Sequence, residues 1–231
     1  MLFRADRTAV IVCDLWDAHW CQAANIRLRH LAPEIEYFLS RVRKQGMLIV
    51  HSPSGTMNYY KQHPARQRAC SALGEPSALQ GKYIWVERDP EREPPLPIDD
   101  SDGGCGCTPV CVSKKVFTRQ SPVISIEDTD VISTDEHEIC AIFDAAPIER
   151  VLILGVHLNM CILGRAFGIR RWLQLNQEVL LVKDLTDVIY NPRRHPFVTH
   201  AQARDLVIAH VEAHLCPSVS KFEVLDAVAG S

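Results

Sequence analysis

The chain has 231 residues, 47% of them hydrophobic, with 25 basic against 28 acidic side chains and a formal charge of −3. No block of like charge gives an electrostatic footprint for a nucleic acid or an anionic membrane surface, so polyanion and membrane partners are not expected. No apolar run approaches the roughly 20 residues that span a bilayer.

The start carries Arg4, Asp6 and Arg7 ahead of a short apolar run, unlike a secretory signal, so a soluble cytoplasmic protein is expected. The nine cysteines are an odd number, which leaves at least one outside any intramolecular pair. In a reducing compartment most are expected as free thiols.

Thr8 to Cys13 (TAVIVC) is a short, β-branched apolar run that predicts a buried parallel strand. Leu28, Leu31, Ile35, Phe38, Leu39 and Val42 then share one helical stripe that stops at Gly46. Met47 to Val50 (MLIV) predicts a second strand and completes a right-handed β-α-β unit.

Between His51 and Val110 periodicity is lost, and Pro90, Pro94, Pro95, Pro97 and Pro109 interrupt any regular element. Residues 51–112 therefore predict a long insertion. Tyr59, Tyr60, Tyr83 and Trp85 among its turn residues favour an ordered lid or interface arm.

Regularity returns with Lys115 to Arg119 (KVFTR) as a third strand, Asp135 to Ala146 as a helix and Arg150 to Val156 (RVLILGV) as the clearest strand. Ile162, Ala166, Ile169 and Leu173 mark a helix, Glu178 to Lys183 a further strand, and Val198 to Leu215 the last long helix. Strands alternating with helices give an α/β fold, a three-layer α/β/α sandwich on a parallel, Rossmann-like sheet, with 1–231 as one domain holding the insertion.

Ligands of open parallel sheets bind beyond the carboxyl ends of the strands, where Asp14, Arg119 and Cys161 fall. A thiol in the first turn of a helix meets the positive end of the dipole, which favours the thiolate. Position alone suits a buried core thiol equally well. A partly desolvated Asp14 beside that thiol would have a raised pKa and could take its proton; a capping or surface-paired aspartate is the alternative.

The strand ending in Asp14, the run Gly155-Val156-His157-Leu158-Asn159-Met160-Cys161, and Asp184 after the fifth strand resemble the isochorismatase-like cysteine hydrolases, the family that includes nicotinamidases. DLWDAHWC, PIDDSDGG, GVHLNMCILGR and DLTDVIYNPRR are similar to a nicotinamidase-related bacterial branch of it. The resemblance implies Cys161 as nucleophile, Asp14 as general base and acid, and a cis peptide before His157, so that the N–H groups of His157 and Cys161 form an oxyanion hole. It also implies a lysine at the end of the third strand, and there Arg119 stands by spacing. Arginine can fix a carboxylate but not shuttle a proton. Lys115 shares its strand face but lies about 13 Å further back.

The metal-binding Asp-x-His of nicotinamidases is absent from His51-Ser52-Pro53-Ser54-Gly55, although His51 and His63 remain. No cofactor and no metal are therefore expected. Cys105, Cys107 and Cys111, spaced C-x-C-x3-C, are one ligand short of a closed zinc site. Asp99, Asp100 and Asp102 lack the EF-hand pattern and read as a solvated turn. Trp16, Asp17, His19 and Trp20 are expected to line the substrate pocket, while Arg193 and Arg194 suit a substrate carboxylate or a subunit contact.

The expected activity is hydrolysis of a small amide through an acyl-enzyme. Cleavage of an isochorismate-like vinyl ether and a catalytically impaired binding module are the alternatives. The arm-like insertion and the resemblance favour a homo-oligomer, a dimer or tetramer.

Overall fold

Residues 4–74 and 84–229 are described by the computed structural model, so Tyr83 of the insertion lies outside it. Thr8–Cys13 forms β1, buried along its whole length. The other strands are β2 (Leu48–Ser52), β3 (Val131–Ile132), β4 (Arg150–Val156), β5 (Glu178–Asp187) and β6 (Ser218–Val219). They lie in the order β3-β2-β1-β4-β5-β6, every pair parallel. The chain builds outward from β1 to β3, then returns to β4 and builds the other way. The carboxyl ends of β1 and β4 thus form the switch point at which open α/β sheets leave a crevice.

Alternation along the strands divides the core between the sheet's faces. Val10 and Val12 of β1 and Leu152 and Leu154 of β4 pack with Leu28, Ile35 and Phe38 of α1 (Gln22–Lys44) and Val224 of α6 (Lys221–Ala229). Ile11 and Ile153 face the opposite layer, built by α3 (Glu136–Ala145), α4 (Ile169–Gln174) and α5 (His200–His214) through Ile139, Trp172 and Val207. The expected α/β/α layering is realised. Among the described residues no helix is long and apolar enough to cross a membrane.

The third strand is not where periodicity put it. Lys115–Arg119 runs outside the sheet because its polar groups are spent locally. Lys115 Nζ donates to the Gly55 carbonyl at 2.6 Å, and the Thr118 N–H and hydroxyl donate to Asp17 at 2.9 and 2.7 Å. The Asp17 N–H also donates to the Arg119 carbonyl at 3.0 Å, and one residue further on an isolated antiparallel bridge joins Gln120 to Trp16. The true β3 has two residues, too few for alternation to be visible. His51 and Ser52, assigned to the insertion, complete β2, and the excursion from β2 to β3 carries a short helix, α2 (Pro64–Ser71).

Asp130, just before β3, ties that edge to α1. Arg43 Nε and Nη2 donate to its two carboxylate oxygens at 3.1 and 2.9 Å, and His51 Nε2 lies 3.1 Å from Oδ2. Burial pushes the Asp130 carboxyl up, but His51 and Arg43 outweigh it and hold it at about 2. A depressed carboxylate stabilises the fold above its unfolded value and loses that contribution as the pH falls from about 4 towards 2. Asp130→Ala, which strands Arg43 and His51, is expected to cost about 3 kcal/mol in urea unfolding at pH 7.

Candidate active site

At the end of β1 the chain turns sharply: Asp14 adopts φ of 48°, a left-handed conformation uncommon outside glycine and concentrated at functional sites. This turn aims a wholly buried carboxylate into the crevice. Its Oδ1 accepts from the Ser54 N–H at 2.6 Å, and its Oδ2 accepts from Arg165 Nε at 3.3 Å. The backbone beyond β2 and a side chain beyond β4 thus hold it from either side.

Beyond β4 the Val156–His157 peptide is cis, as the resemblance implies. A π-helical turn follows at Leu158–Ile162 and carries Cys161; such turns recur at functional sites. Gly155 allows β4 to come this close to β1. A Cβ there would lie 2.1 Å from the Cys13 carbonyl oxygen, and its φ of +110° suits glycine. Cys161, 8% exposed, lies beside the Asp14 carboxylate, close enough for each to bear on the other's ionisation.

Burial raises the Asp14 carboxyl above its ordinary value, against the lowering effect of Arg165 and of hydrogen bonds from Cys161 and Ser54. The Cys161 thiol is also raised, first by burial and then by the negative charge of Asp14. The expected thiolate at a helix start is therefore corrected: Cys161 lies within a five-residue π-turn, where burial and the charge of Asp14 favour the thiol. The proton rests on sulfur, beside a carboxylate whose basicity burial has increased. A cavity of about 420 Å³ opens alongside, lined by Ser54 and Arg165, the two partners of Asp14, together with Met57, Phe117, Thr134 and Ala166, while Asp14 and Cys161 lie behind that lining.

Comparison with solved structures finds the same arrangement of elements elsewhere. A cysteine hydrolase from Pseudomonas syringae pv. phaseolicola superposes with a TM-score of 0.61 at 13% identity, covering 100% of this chain and 96% of that one. An isochorismatase-like hydrolase from Alkaliphilus metalliredigens gives 0.55 at 11% identity, with 97% and 98% covered. An isochorismatase family protein from Desulfovibrio vulgaris gives 0.54 at 15% identity, with 96% and 98% covered. The chain has the isochorismatase-like hydrolase fold. No protein-family model and no curated protein sequence matches it, so the likeness is one of fold.

Within this isochorismatase-like fold the cation beside Asp14 is Arg165, not Arg119. Arg119 lies on Tyr59, donating to its hydroxyl at 2.8 Å with the guanidinium 5.5 Å from the ring centroid. Once β3 is Val131–Ile132, the place the resemblance gives to lysine falls to Ser133 and Thr134, neither of them a cation. Arg165 follows Cys161 by four residues, a spacing that helical geometry puts on one face. The C-x3-R pattern was the signal that could have found it.

The substrate-binding expectation divides. Trp16 backs the cavity wall, stacked on Phe117 at 4.3 Å. Asp17 turns to Thr118, and Trp20 lies over Gly103. Trp85 packs on the turn after Cys161, where Gly164 makes room for it: a Cβ would meet the indole at 2.5 Å. Gly164→Ala is expected to push this part of the insertion off the turn and raise KM for any turned-over substrate, with a smaller effect on Tm.

His19 pairs with His157, Nε2 to Nε2 at 3.2 Å, while His19 Nδ1 accepts from the Cys21 N–H at 3.0 Å. With Nδ1 accepting, a neutral His19 must donate from Nε2. Burial depresses His19 to about 4 and His157 to about 3, so both are neutral at pH 7. The unfolded chain takes up protons near pH 6.5 that the folded pair refuses, so stability present above that value is lost as the pH falls towards 4. Melting temperature followed from pH 7 to 4.5 should fall, and a His19→Gln/His157→Gln variant should show a shallower slope.

The histidines do not suit the metal of nicotinamidases. His51 is buried between Gln120 and Asp130, and His63 caps α2 by accepting from the Ala65 N–H. Asp184, expected after the fifth strand, lies within β5 and accepts from the Lys221 N–H. The carboxylate nearer the site is Asp187, bonded to Arg27 and His200 at 2.8 and 2.9 Å. Arg193 and Arg194 brace the insertion through Cys107 and Ser101.

Proposed function

We propose that this chain is a cysteine hydrolase that cleaves the C–N bond of a small amide through an acyl-enzyme on Cys161. The observation that carries the reading is the juxtaposition, at the sheet's switch point, of the buried Cys161 thiol and a buried Asp14 carboxylate held by Arg165. In the first half-reaction Asp14 takes the thiol proton as sulfur attacks the carbonyl carbon, forming the S–C bond. The oxygen's developing charge falls to the N–H groups of His157 and Cys161. Asp14 then gives its proton to the departing nitrogen as the C–N bond breaks.

In the second half-reaction Asp14 takes a proton from water, whose oxygen attacks the thioester carbonyl. The C–S bond breaks and the proton returns to sulfur, restoring the resting pair. Arg165 keeps its charge throughout: it holds the carboxylate and shuttles nothing. The cavity of about 420 Å³, with Phe117 and Met57 on its wall, suits a small, partly apolar acyl group.

A panel of small amides tests the reading by intact-mass spectrometry of the quenched reaction. The expected result is turnover of at least one amide with an acyl adduct that peptide mapping places on Cys161. Turnover that persists in Cys161→Ala, or a panel without either turnover or adduct, defeats it.

A further inference from the structure

Apart from the Cys161 site, the described residues bring one set of soft ligand atoms together. The sulfurs of Cys21, Cys105, Cys107 and Cys111 all lie within 4.8 Å of one another. Three come from the C-x-C-x3-C run of the insertion; the fourth, Cys21, is the residue immediately before α1, at its N-cap position. Chain folding thus supplies the ligand that the sequence spacing lacked. We propose that these four thiols bind one zinc ion as a closed tetrathiolate site, a clamp that fastens the insertion to the start of α1.

The distances fit one ion. Tetrahedral zinc with Zn–S bonds of about 2.3 Å places its sulfurs about 3.8 Å apart, and Cys21 and Cys107 are separated by 3.8 Å. A multi-iron cluster puts different thiolates on different irons and would spread the sulfurs further. Four thiolates select a soft ion over magnesium or calcium. Two ligands, Cys21 and Cys105, are 1% exposed, and the four-sulfur set leaves no open position for substrate, as in structural rather than catalytic zinc sites.

The surroundings favour the net negative charge of such a site. The N–H groups of Gln22 and Ala23, in the first turn of α1, point at Cys111 and Cys107 at 3.5 and 3.4 Å. That turn holds no acidic residue, so the positive end of the α1 dipole faces the sulfurs uncompensated by a carboxylate. Arg193 adds a cation, donating to the carbonyls of Gly106 and Cys107. Each coordinated thiol gives its proton to solvent as its Zn–S bond forms.

The clamp also has something to hold. The apolar cluster around it has only Cys21, Ala24, Cys105 and Ile189 fully buried, a core too small to secure a loop unaided. From that loop Asp100 accepts from Asn159 at 2.8 Å and Asp102 accepts from Asn191 at 2.7 Å. Asn159 lies two residues before Cys161 in the same turn. Anchoring the loop at α1 therefore steadies the turn that carries the thiol, although the zinc site does not depend on the amidase reading.

Metal analysis of the full chain, purified from zinc-supplemented culture without chelator, is expected to find about one zinc per chain. A mercurial titration should release it to a colorimetric indicator, and exchange with cobalt(II) should give the ligand-field and thiolate charge-transfer bands of a tetrahedral tetrathiolate. Cys107→Ser should lose the metal, while Cys70→Ser, at an exposed position, should keep it. Where Cys107→Ser fails to fold, the wild-type stoichiometry and cobalt spectrum decide alone. Folded wild-type chain without bound zinc after incubation with zinc sulfate overturns the proposal. So does a mass showing these cysteines paired as disulfides, or iron at full occupancy in place of zinc.

Discussion

Replacing Cys161 by alanine is expected to lower kcat on the amide identified by the adduct screen by about 10³-fold or more, with binding of that amide kept. Asp14→Asn should lose a similar factor because the thiol then has no base within reach. The double variant should be little worse than either single one, since the two groups act as a unit and their effects do not add. In the wild type, kcat/KM should fall on the acid side as Asp14 becomes protonated. That limb should lie above the ordinary carboxylate range, because burial raises Asp14.

The same burial has an opposite consequence for stability. A carboxyl whose folded pKa is raised costs stability once the pH exceeds its unfolded value, because the folded state resists losing the proton that the unfolded chain releases. Asp14→Asn should therefore melt at or above the wild-type temperature at pH 7, with the difference closing as the pH falls below about 4. An inactive variant that is no less stable identifies a carboxylate kept for chemistry rather than for the fold. Loss of activity together with collapse of the melting transition would instead make Asp14 a structural group.

Arg165→Met is expected to cost about 10²-fold in kcat/KM, the scale on which removing one preorganised charge acts. Arg165 lowers the Asp14 carboxyl against the effect of burial, so its loss should move the acid limb to higher pH. Arg165→Lys restores the charge but not the Nε–H contact at 3.3 Å, and should recover part of the rate and most of the pH shift. Arg119→Met, altering a guanidinium that rests on Tyr59, should leave both unchanged. A rate that follows Arg119 rather than Arg165 would return the cation to its sequence-expected place.

The two arginines show where sequence reasoning worked and where it stopped. TAVIVC and RVLILGV are long enough and apolar enough to declare themselves as buried strands, and each carries its candidate site residue beyond its end: Asp14 and Cys161. The third strand has two residues and cannot declare itself, whereas KVFTR has a strand's composition without a strand's partners. That error moved the expected cation onto Arg119. The helical stripe of α1 was legible from Leu28, but the polar turn that begins it at Gln22 and the internal Pro33 concealed where the helix starts, and with it the position of Cys21 as its cap.

The sequence by itself determined the alternation of strands and helices, the layering and the carboxylate and thiol at the strand ends, because each depends on periodicity within a few neighbouring residues. Only the tertiary structure decided that Arg165 rather than Arg119 meets Asp14, that burial raises the Cys161 thiol where a helix start was expected to lower it, and that Cys21 joins the three cysteines of the insertion. Those outcomes depend on desolvation and on contacts between segments far apart in the chain, which local spacing does not encode.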